Sequence, residues 1–168
     1  YAYLPTYRAG NKVESQKNAA YLLYYLCELD RQLTDGEILY VNLHPLDNKA
    51  IDFKAFNHIK QFPVKYETYE FLSIVDVLIT DYSSVFFDFA CTQRKIVLFT
   101  YDKESYLKDR GLYLSFDEFP FPQAETVGVL LDEIRTEKLY DDRNFLQTFC
   151  RYEGLNATQR LCDYTILG

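Results

Sequence analysis

The stretch Val75-Asp76-Val77-Leu78-Ile79-Thr80-Asp81-Tyr82-Ser83-Ser84-Val85-Phe86-Phe87-Asp88-Phe89-Ala90-Cys91 decides the fold. Positions 75–80 place Val, Val, Leu and Ile in six residues, the composition of a strand buried on both faces, as parallel strands are. The polar run 81–84 interrupts it, and 85–91 resumes as an apolar helix. A buried strand, a short polar loop and a helix form the repeating unit of a doubly wound sheet.

Outward from this unit the alternation continues. Upstream, 37–43 is a nearly continuous apolar run that predicts another buried strand, set off by Asp35-Gly36. Before it, Leu22, Leu26, Leu29 and Leu33 recur at helical spacing, with Ser15 as the expected cap, and 1–7 reads as a short strand closing at Pro5. A polar helix is expected over 47–60. An extended piece follows at 62–65, which Pro63 keeps away from the sheet centre, and then a short helix at 68–73. Downstream come a strand at 96–100, a charged helix at 103–110, a strand-like 112–116, a proline-rich loop at 119–122, and a tail that is helical in two or three pieces from 125 to 167. The pattern predicts an α/β class: a Rossmann-like three-layer domain with a mostly parallel sheet and helices on both faces. At 168 residues the chain holds one such core, so 1–168 is expected to be a single domain. Right-handed crossovers gather the strand-to-helix loops along one sheet edge, where such folds bind ligands. The loops after Tyr7, Leu43 and Thr80 qualify by polar content.

Composition narrows the function. Lys and Arg total 18 against 25 Asp and Glu, a net charge of −7, which does not suit a nucleic-acid backbone but leaves room for a local anion site. No apolar run approaches the ~20 residues that span a bilayer. The chain begins at Tyr1 and contains no Met, so it is expected to be a segment of a longer protein. Cys27, Cys91, Cys150 and Cys162 lack metal-like spacing and are read as buried reduced thiols, from which a cytoplasmic location follows. With only two His besides, no metal site is expected. Sixteen Tyr and 13 Phe invite a stacking platform, but Phe86, Phe87, Phe89, Phe145 and Phe149 sit at core-like helical positions and read as packing. Asn156-Ala157-Thr158 matches a glycosylation sequon by chance.

Candidate chemistry concentrates in the loop 80–84. It delivers Ser83 and Ser84 to the first turn of a helix, where free N–H groups and the helix dipole favour an anion; equally, Ser84 or Asp81 serves simply as the N-cap. His44 ends a strand at the same edge and can act as acid, base or cationic phosphate ligand, or bond locally within its loop. Arg8 follows the first strand, where it offers a phosphate a charged fork or lies idle on the surface. Asp88 is four residues after Ser84, on the same helix face, to contact a ligand or brace the loop. His58 is placed on the surface of a polar helix.

Taken in order, these segments resemble the C-terminal half of the CDP-glycerol:poly(glycerophosphate) glycerophosphotransferases, the teichoic-acid primase and polymerase family. Leu4-Pro5-Thr6-Tyr7-Arg8 looks like its "PTWR" segment, Leu43-His44-Pro45 like its "HP" motif, and 78–88 is similar to its signature almost without change. Phe99-Thr100-Tyr101-Asp102 through Tyr106 and Arg110-Gly111 matches the following stretch, and 153–160 resembles the closing segment. The family's "PGP" loop stands here as Pro120-Phe121-Pro122, its basic residue shortly before the histidine as Asn42, and the Trp of "PTWR" as Tyr7.

The resemblance implies a GT-B architecture of two Rossmann-like domains, with this chain as the C-terminal donor-nucleotide domain and an acceptor domain before Tyr1. It implies transfer of a polyol phosphate, glycerol phosphate foremost, from a CDP-polyol to an acceptor hydroxyl with release of CMP. The acceptor would be a polyol-phosphate polymer or a lipid-linked chain, and the setting teichoic-acid or capsule synthesis at the inner face of a bacterial membrane, with peripheral membrane contact. No cofactor is expected. By family likeness His44, Ser83 and Ser84 would hold the donor pyrophosphate with Arg8 and Asp81 beside them, His44 would act in catalysis, and the cytidine would lie against Phe62, Pro63, Val64 and Asp88. The alternatives are a sugar transferase with a UDP or GDP donor and a degenerate, non-catalytic nucleotide-binding module.

Overall fold

The structure is a computed structural model that describes residues 1–8, 12–44 and 51–167. Its strands are β1 (Ala2–Leu4), β2 (Leu39–Val41), β3 (Ile59–Gln61), β4 (Val77–Thr80), β5 (Lys95–Phe99) and β6 (Gln123–Ala124). The helices are α1 (Lys12–Gln32), α2 (Thr68–Leu72), α3 (Val85–Ala90), α4 (Lys103–Asp109), α5 (Val127–Arg135), α6 (Arg143–Phe149) and α7 (Ala157–Cys162), with a π-helical turn over Asp163–Leu167. The six strands form one sheet in the order β3-β2-β1-β4-β5-β6, every pairing parallel. The α/β, Rossmann-like class read from the sequence is the class found.

Alternation along each strand sorts the core into two halves. Tyr3, Val77, Ile79, Val97 and Phe99 point to one face and meet the leucine stripe of α1 (Leu22, Leu26, Leu29, Leu33) and Leu130, Leu131 and Ile134 of α5. Ala2, Leu4, Leu78, Ile96 and Leu98 point to the other and meet Phe71 and Leu72 of α2, Val85, Phe86 and Phe89 of α3, and Phe145 of α6. Both sheet faces are therefore covered, which is why the strands read as continuous apolar runs. The order also reverses direction beside β1: the chain moves from β1 to β2 and β3 on one side, then returns to β4 on the other. The carboxyl ends of β1 and β4 thus flank the topological switch point, where open α/β sheets leave a crevice.

Several local expectations change. The helix expected over 47–60 falls partly outside the described residues; beyond it, Phe53–Ala55 is a single 3₁₀ turn and Ile59–Gln61 is strand, so the edge strand lies just before the extended piece expected at 62–65. Asp30 of α1 explains the difference: its carboxylate accepts the backbone N–H groups of Asn57 (3.1 Å), His58 (2.8 Å) and Ile59 (3.1 Å), and docks this segment against β2. His58 is accordingly half-buried at the start of an edge strand and not on a polar helix. Ser15 lies inside α1, which starts at Lys12. Residues 112–116 form no strand; the last strand is the two-residue β6, formed where Pro122 and Ala124 carbonyls accept the N–H groups of Leu98 and Thr100.

The cysteines are all free, but Cys27, Cys91 and Cys162 are exposed and Cys150 half-buried, so the buried-thiol expectation fails. Cys27 follows Leu26 onto the outer face of α1, and Cys91 sits at the C-cap of α3, where packing has ended. The phenylalanines are largely packing, as expected: Phe86, Phe87, Phe119, Phe121, Phe145 and Phe149 interlock with centroid distances of 4.4–6.2 Å, although Phe149 remains 42% exposed and several tyrosines, Tyr113 and Tyr164 among them, lie on the surface. Phe121, in the position of the family's loop glycine, is 2% exposed and fills this cluster.

Candidate functional site

The loops after β1, β2 and β4 converge on an open cleft of about 590 Å³ at the switch point, lined by Leu4, Pro5, Thr6, Tyr7, Asn42, Leu43, His44, Tyr82, Ser83 and Ser84. These are the three loops that polar content singled out. β4 ends at Thr80 because its side chain turns back to donate to the Leu4 carbonyl (2.7 Å), which ties the carboxyl ends of β1 and β4 together. The chain then turns through Asp81 and Tyr82, and α3 starts after Ser84.

At the mouth of the cleft, Ser83 is half-buried and Ser84 exposed. Ser84 occupies the N-cap position yet makes no side-chain cap bond; only Ser83 Oγ accepts from the Val85 N–H, at 3.4 Å. Among the described residues, the backbone N–H groups of Ser83 and Ser84 and their two hydroxyl donors engage no acceptor. These four donors belong to two adjacent residues that line the cleft. Capping alone, the simpler reading of these serines, leaves them idle. Across the cleft His44 stacks on Tyr7 with ring centroids 4.2 Å apart and planes 25° apart, which orients the imidazole. Pro45 lies outside the described residues.

Arg8 and Asp81 are placed differently from the rest. Asp81 is fully buried, and its Oδ1 accepts from the Thr6 N–H (2.9 Å), the Thr6 hydroxyl (2.6 Å) and the Tyr82 N–H (2.5 Å), while Oδ2 takes the Arg8 Nη2 (2.9 Å). With both oxygens occupied, Asp81 shapes the turn that presents the serines. Arg8 donates from Nε and Nη2 to Asp102 (2.8 and 3.2 Å) and from Nη1 to the Thr6 carbonyl (2.6 Å), and lines a different hollow, with Lys17, Asn18 and Tyr106. Burial pulls its pKa down, but the hydrogen bond to Asp102 and the charges of Asp81 and Asp102 outweigh that and raise it above the usual arginine value. Tyr82 donates its hydroxyl to Asp102 (2.9 Å); burial first, then that carboxylate, holds its proton far more tightly than a free phenol's.

None of the four residues expected around the cytidine lines the cleft, and Phe62 is buried in the core against Phe71. Pro63 and the 88% exposed Val64 follow β3, and Asp88 on the outer face of α3 accepts the Tyr69 hydroxyl of α2 at 3.0 Å. That bond, with the Asp88 charge, raises the Tyr69 pKa. Sequence reasoning did not single out Thr6, Tyr7, Asp102 or Tyr106 as site residues. All four stand inside the quoted motif segments, but nothing in a linear pattern shows that Asp102 meets Arg8. Among the described residues, no group of three or more His, Cys, Asp or Glu side chains is placed to share a cation, and no helix is long and apolar enough to cross a membrane.

With this geometry in hand, comparison with known proteins is direct. Over 166 residues the chain is 32% identical to the teichoic acid glycerol-phosphate primase of Bacillus subtilis, covering 96% of this chain and 42% of that protein. It is 34% identical over 171 residues to the teichoic acid poly(ribitol-phosphate) polymerase of Bacillus spizizenii, covering 98% and 27%. The structure superposes on a variant of the wall teichoic acid polymerase TagF with a TM-score of 0.78 at 27% identity, covering 97% of this chain and 42% of that one, and on the same variant soaked with CDPG with a TM-score of 0.75 at 26% identity, covering 97% and 39%. The chain therefore spans less than half the length of these relatives. Residues 2–167 match the family described as CDP-glycerol:poly(glycerophosphate) glycerophosphotransferase, and the chain belongs to that family.

Proposed function

We propose that the chain is the donor-binding unit of a transferase that moves a polyol phosphate, glycerol phosphate foremost, from a CDP-polyol to an acceptor hydroxyl with release of CMP, in the synthesis of teichoic acid or a similar capsule polymer. The observation that carries this reading is the cleft at the switch point. In a chain of this family, it gathers His44 and the four free donors of Ser83 and Ser84 at one place.

In the reaction the acceptor oxygen attacks the β-phosphorus of the donor, the bond from that phosphorus to the bridging oxygen breaks, and the electron pair leaves with CMP. Negative charge grows on the departing phosphate. Fixed donors aimed at that charge stabilise the transition state more than the ground state. Ser83 and Ser84 supply them from the backbone and the side chains. His44, held by Tyr7, assists departure by giving a proton or positive charge to the CMP phosphate. Asp81 and Arg8 support the loop from behind. The cytidine extends toward Pro63, Val64 and Asp88. The acceptor polymer or lipid-linked chain, and the base that takes its proton, are assigned to protein beyond this chain, because relatives of this family are more than twice as long. Action at the inner face of the bacterial membrane follows from the lipid-linked acceptor.

Titration calorimetry tests the site. CDP is expected to bind the chain at least tenfold more tightly than cytidine, and Ser83→Ala/Ser84→Ala, which removes the two hydroxyls and keeps the two N–H groups, to narrow the difference. Equal affinity for CDP and cytidine would remove the anion site, and preference for UDP or GDP would move the assignment to a sugar transferase.

A further inference from the structure

Behind the cleft, a charged cluster joins the carboxyl ends of the three central strands. Asp102 follows β5 at the N-cap position of α4, where an aspartate ordinarily accepts from its own helix, yet it makes no cap bond. Its carboxylate turns away instead. It takes Arg8 Nε and Nη2 in a two-point fork at 2.8 and 3.2 Å and the Tyr82 hydroxyl at 2.9 Å. The same Arg8 reaches Asp81 after β4 and the Thr6 carbonyl after β1, and its guanidinium carbon lies 4.9 Å from the ring centroids of both Tyr82 and Tyr106, which stack 3.7 Å apart. Tyr82 is thereby held at two points, by its N–H on Asp81 and by its hydroxyl on Asp102. It is also the residue immediately before Ser83.

We propose that Asp102 is a positioning residue for the Ser83-Ser84 loop, acting through Tyr82 and Arg8 without touching the bound ligand. This deepens the donor-site reading and rests on it for the identity of the ligand. Asp102 is 24% exposed at its side chain and Arg8 16%, so the pair is largely withdrawn from water, where a planar fork holds a carboxylate at two points. Two carboxylates around one guanidinium leave Arg8 with Nε and Nη2 committed to oxygen and its Nη1 on a carbonyl. A phosphate in the cleft would have to compete with both. The cluster therefore fixes where the serine donors point, and the serines do the binding.

The test uses the full chain with Asp102→Asn and, as a gentler change that removes only one hydroxyl, Tyr82→Phe. CDP and cytidine affinities are measured by calorimetry, and backbone amide exchange is followed at Tyr82 and Val85, the bonded amides of the turn, and in β4. Both variants are expected to weaken CDP binding about tenfold, to leave cytidine binding unchanged, and to speed exchange at Tyr82 and Val85 while β4 stays protected. CDP binding that is unchanged in Asp102→Asn would overturn the proposal, and tighter binding would overturn it by showing that Arg8, once released, is itself a phosphate ligand. Unaltered exchange at Tyr82 and Val85 in Tyr82→Phe would overturn it as well, even if Asp102→Asn fails to fold. If the unaltered chain does not bind CDP, the donor-site reading falls, and the exchange comparison alone decides the positioning role.

Discussion

His44 is held by an aromatic neighbour, and that sets what its replacement should do. Its ring lies 4.2 Å from Tyr7 over the cleft that also holds Ser83 and Ser84. In a full-length enzyme carrying this chain, His44→Ala is expected to lower turnover by roughly 100-fold or more, the range of an acid–base group. His58→Ala should change little: what His58 contributes to the fold are its N–H, on Asp30, and its carbonyl, which accepts from Leu39, and alanine keeps both. Steady-state rates of CMP release check the pair, and a His44→Ala enzyme with normal turnover would return the residue to local bonding in its loop. At this scale the sequence was legible for donors and not for their partners. Ser83, Ser84 and His44 stand out because polar residues at the ends of buried strands have few reasons to be there. Arg8 and Asp81 stood out for the same reason, yet each meets groups up to 94 and 75 residues away that engage it first. Phe121 shows the converse. The residue that replaces a family glycine reads as a loss of backbone freedom, but its ring is a core side chain touching Phe86, Phe145 and Tyr140.

Between elements, single carboxylates carry much of the alignment. Glu37, in the turn between α1 and β2, accepts the Tyr1 hydroxyl (2.9 Å), the Thr34 N–H and hydroxyl (2.8 and 2.9 Å) and a two-point fork from Arg135 of α5 (2.9 and 2.8 Å). The Arg135 fork holds its carboxyl far below the ordinary glutamate value; burial opposes this, and the Thr34 and Tyr1 bonds reinforce it. Since the folded-state pKa is depressed, the stabilisation is fully present above the unfolded value of about 4.3 and is lost as pH falls below it toward the folded value. Glu37→Gln should therefore cost about 1 kcal/mol at neutral pH, with the gap from the unaltered chain closing below about pH 4. Urea melts of both proteins across that range decide it, and a gap that stays constant with pH would remove Glu37 from the acid response. The helices and long strands were legible because the 3.6 and 2.0 periodicities are written in the chain itself. β3 and β6 were not. A three-residue edge strand docked by Asp30 and a two-residue strand built by Leu98 and Thr100 owe their form to neighbours far along the chain.

On the scale of the whole molecule, the sheet is covered on both faces and the proposed donor cleft is open. Leucines of α1 and α5 cover one face and the phenylalanines of α2, α3 and α6 the other, so the chain has a complete core of its own. It is expected to melt as one cooperative unit and, at a net charge of −7, to stay dispersed. Transfer asks for more. An acceptor hydroxyl must be held in line with the donor's β-phosphorus, and holding two reactants together supplies much of an enzyme's rate. The cleft is a single open hollow with Ser84 at its rim, where water reaches whatever binds there, and bulk water weakens the interactions that stabilise a departing phosphate. The 168-residue chain should therefore bind CDP yet release no CMP from CDP-glycerol in the presence of a glycerophosphate primer, while a protein of the relatives' length that includes it should do so. Following CMP release with and without primer makes the comparison. Primer-dependent release by the chain alone, at a rate close to that of the longer protein, would mean that the in-line acceptor site is built from these residues, and the division of labour argued from the open cleft would be wrong.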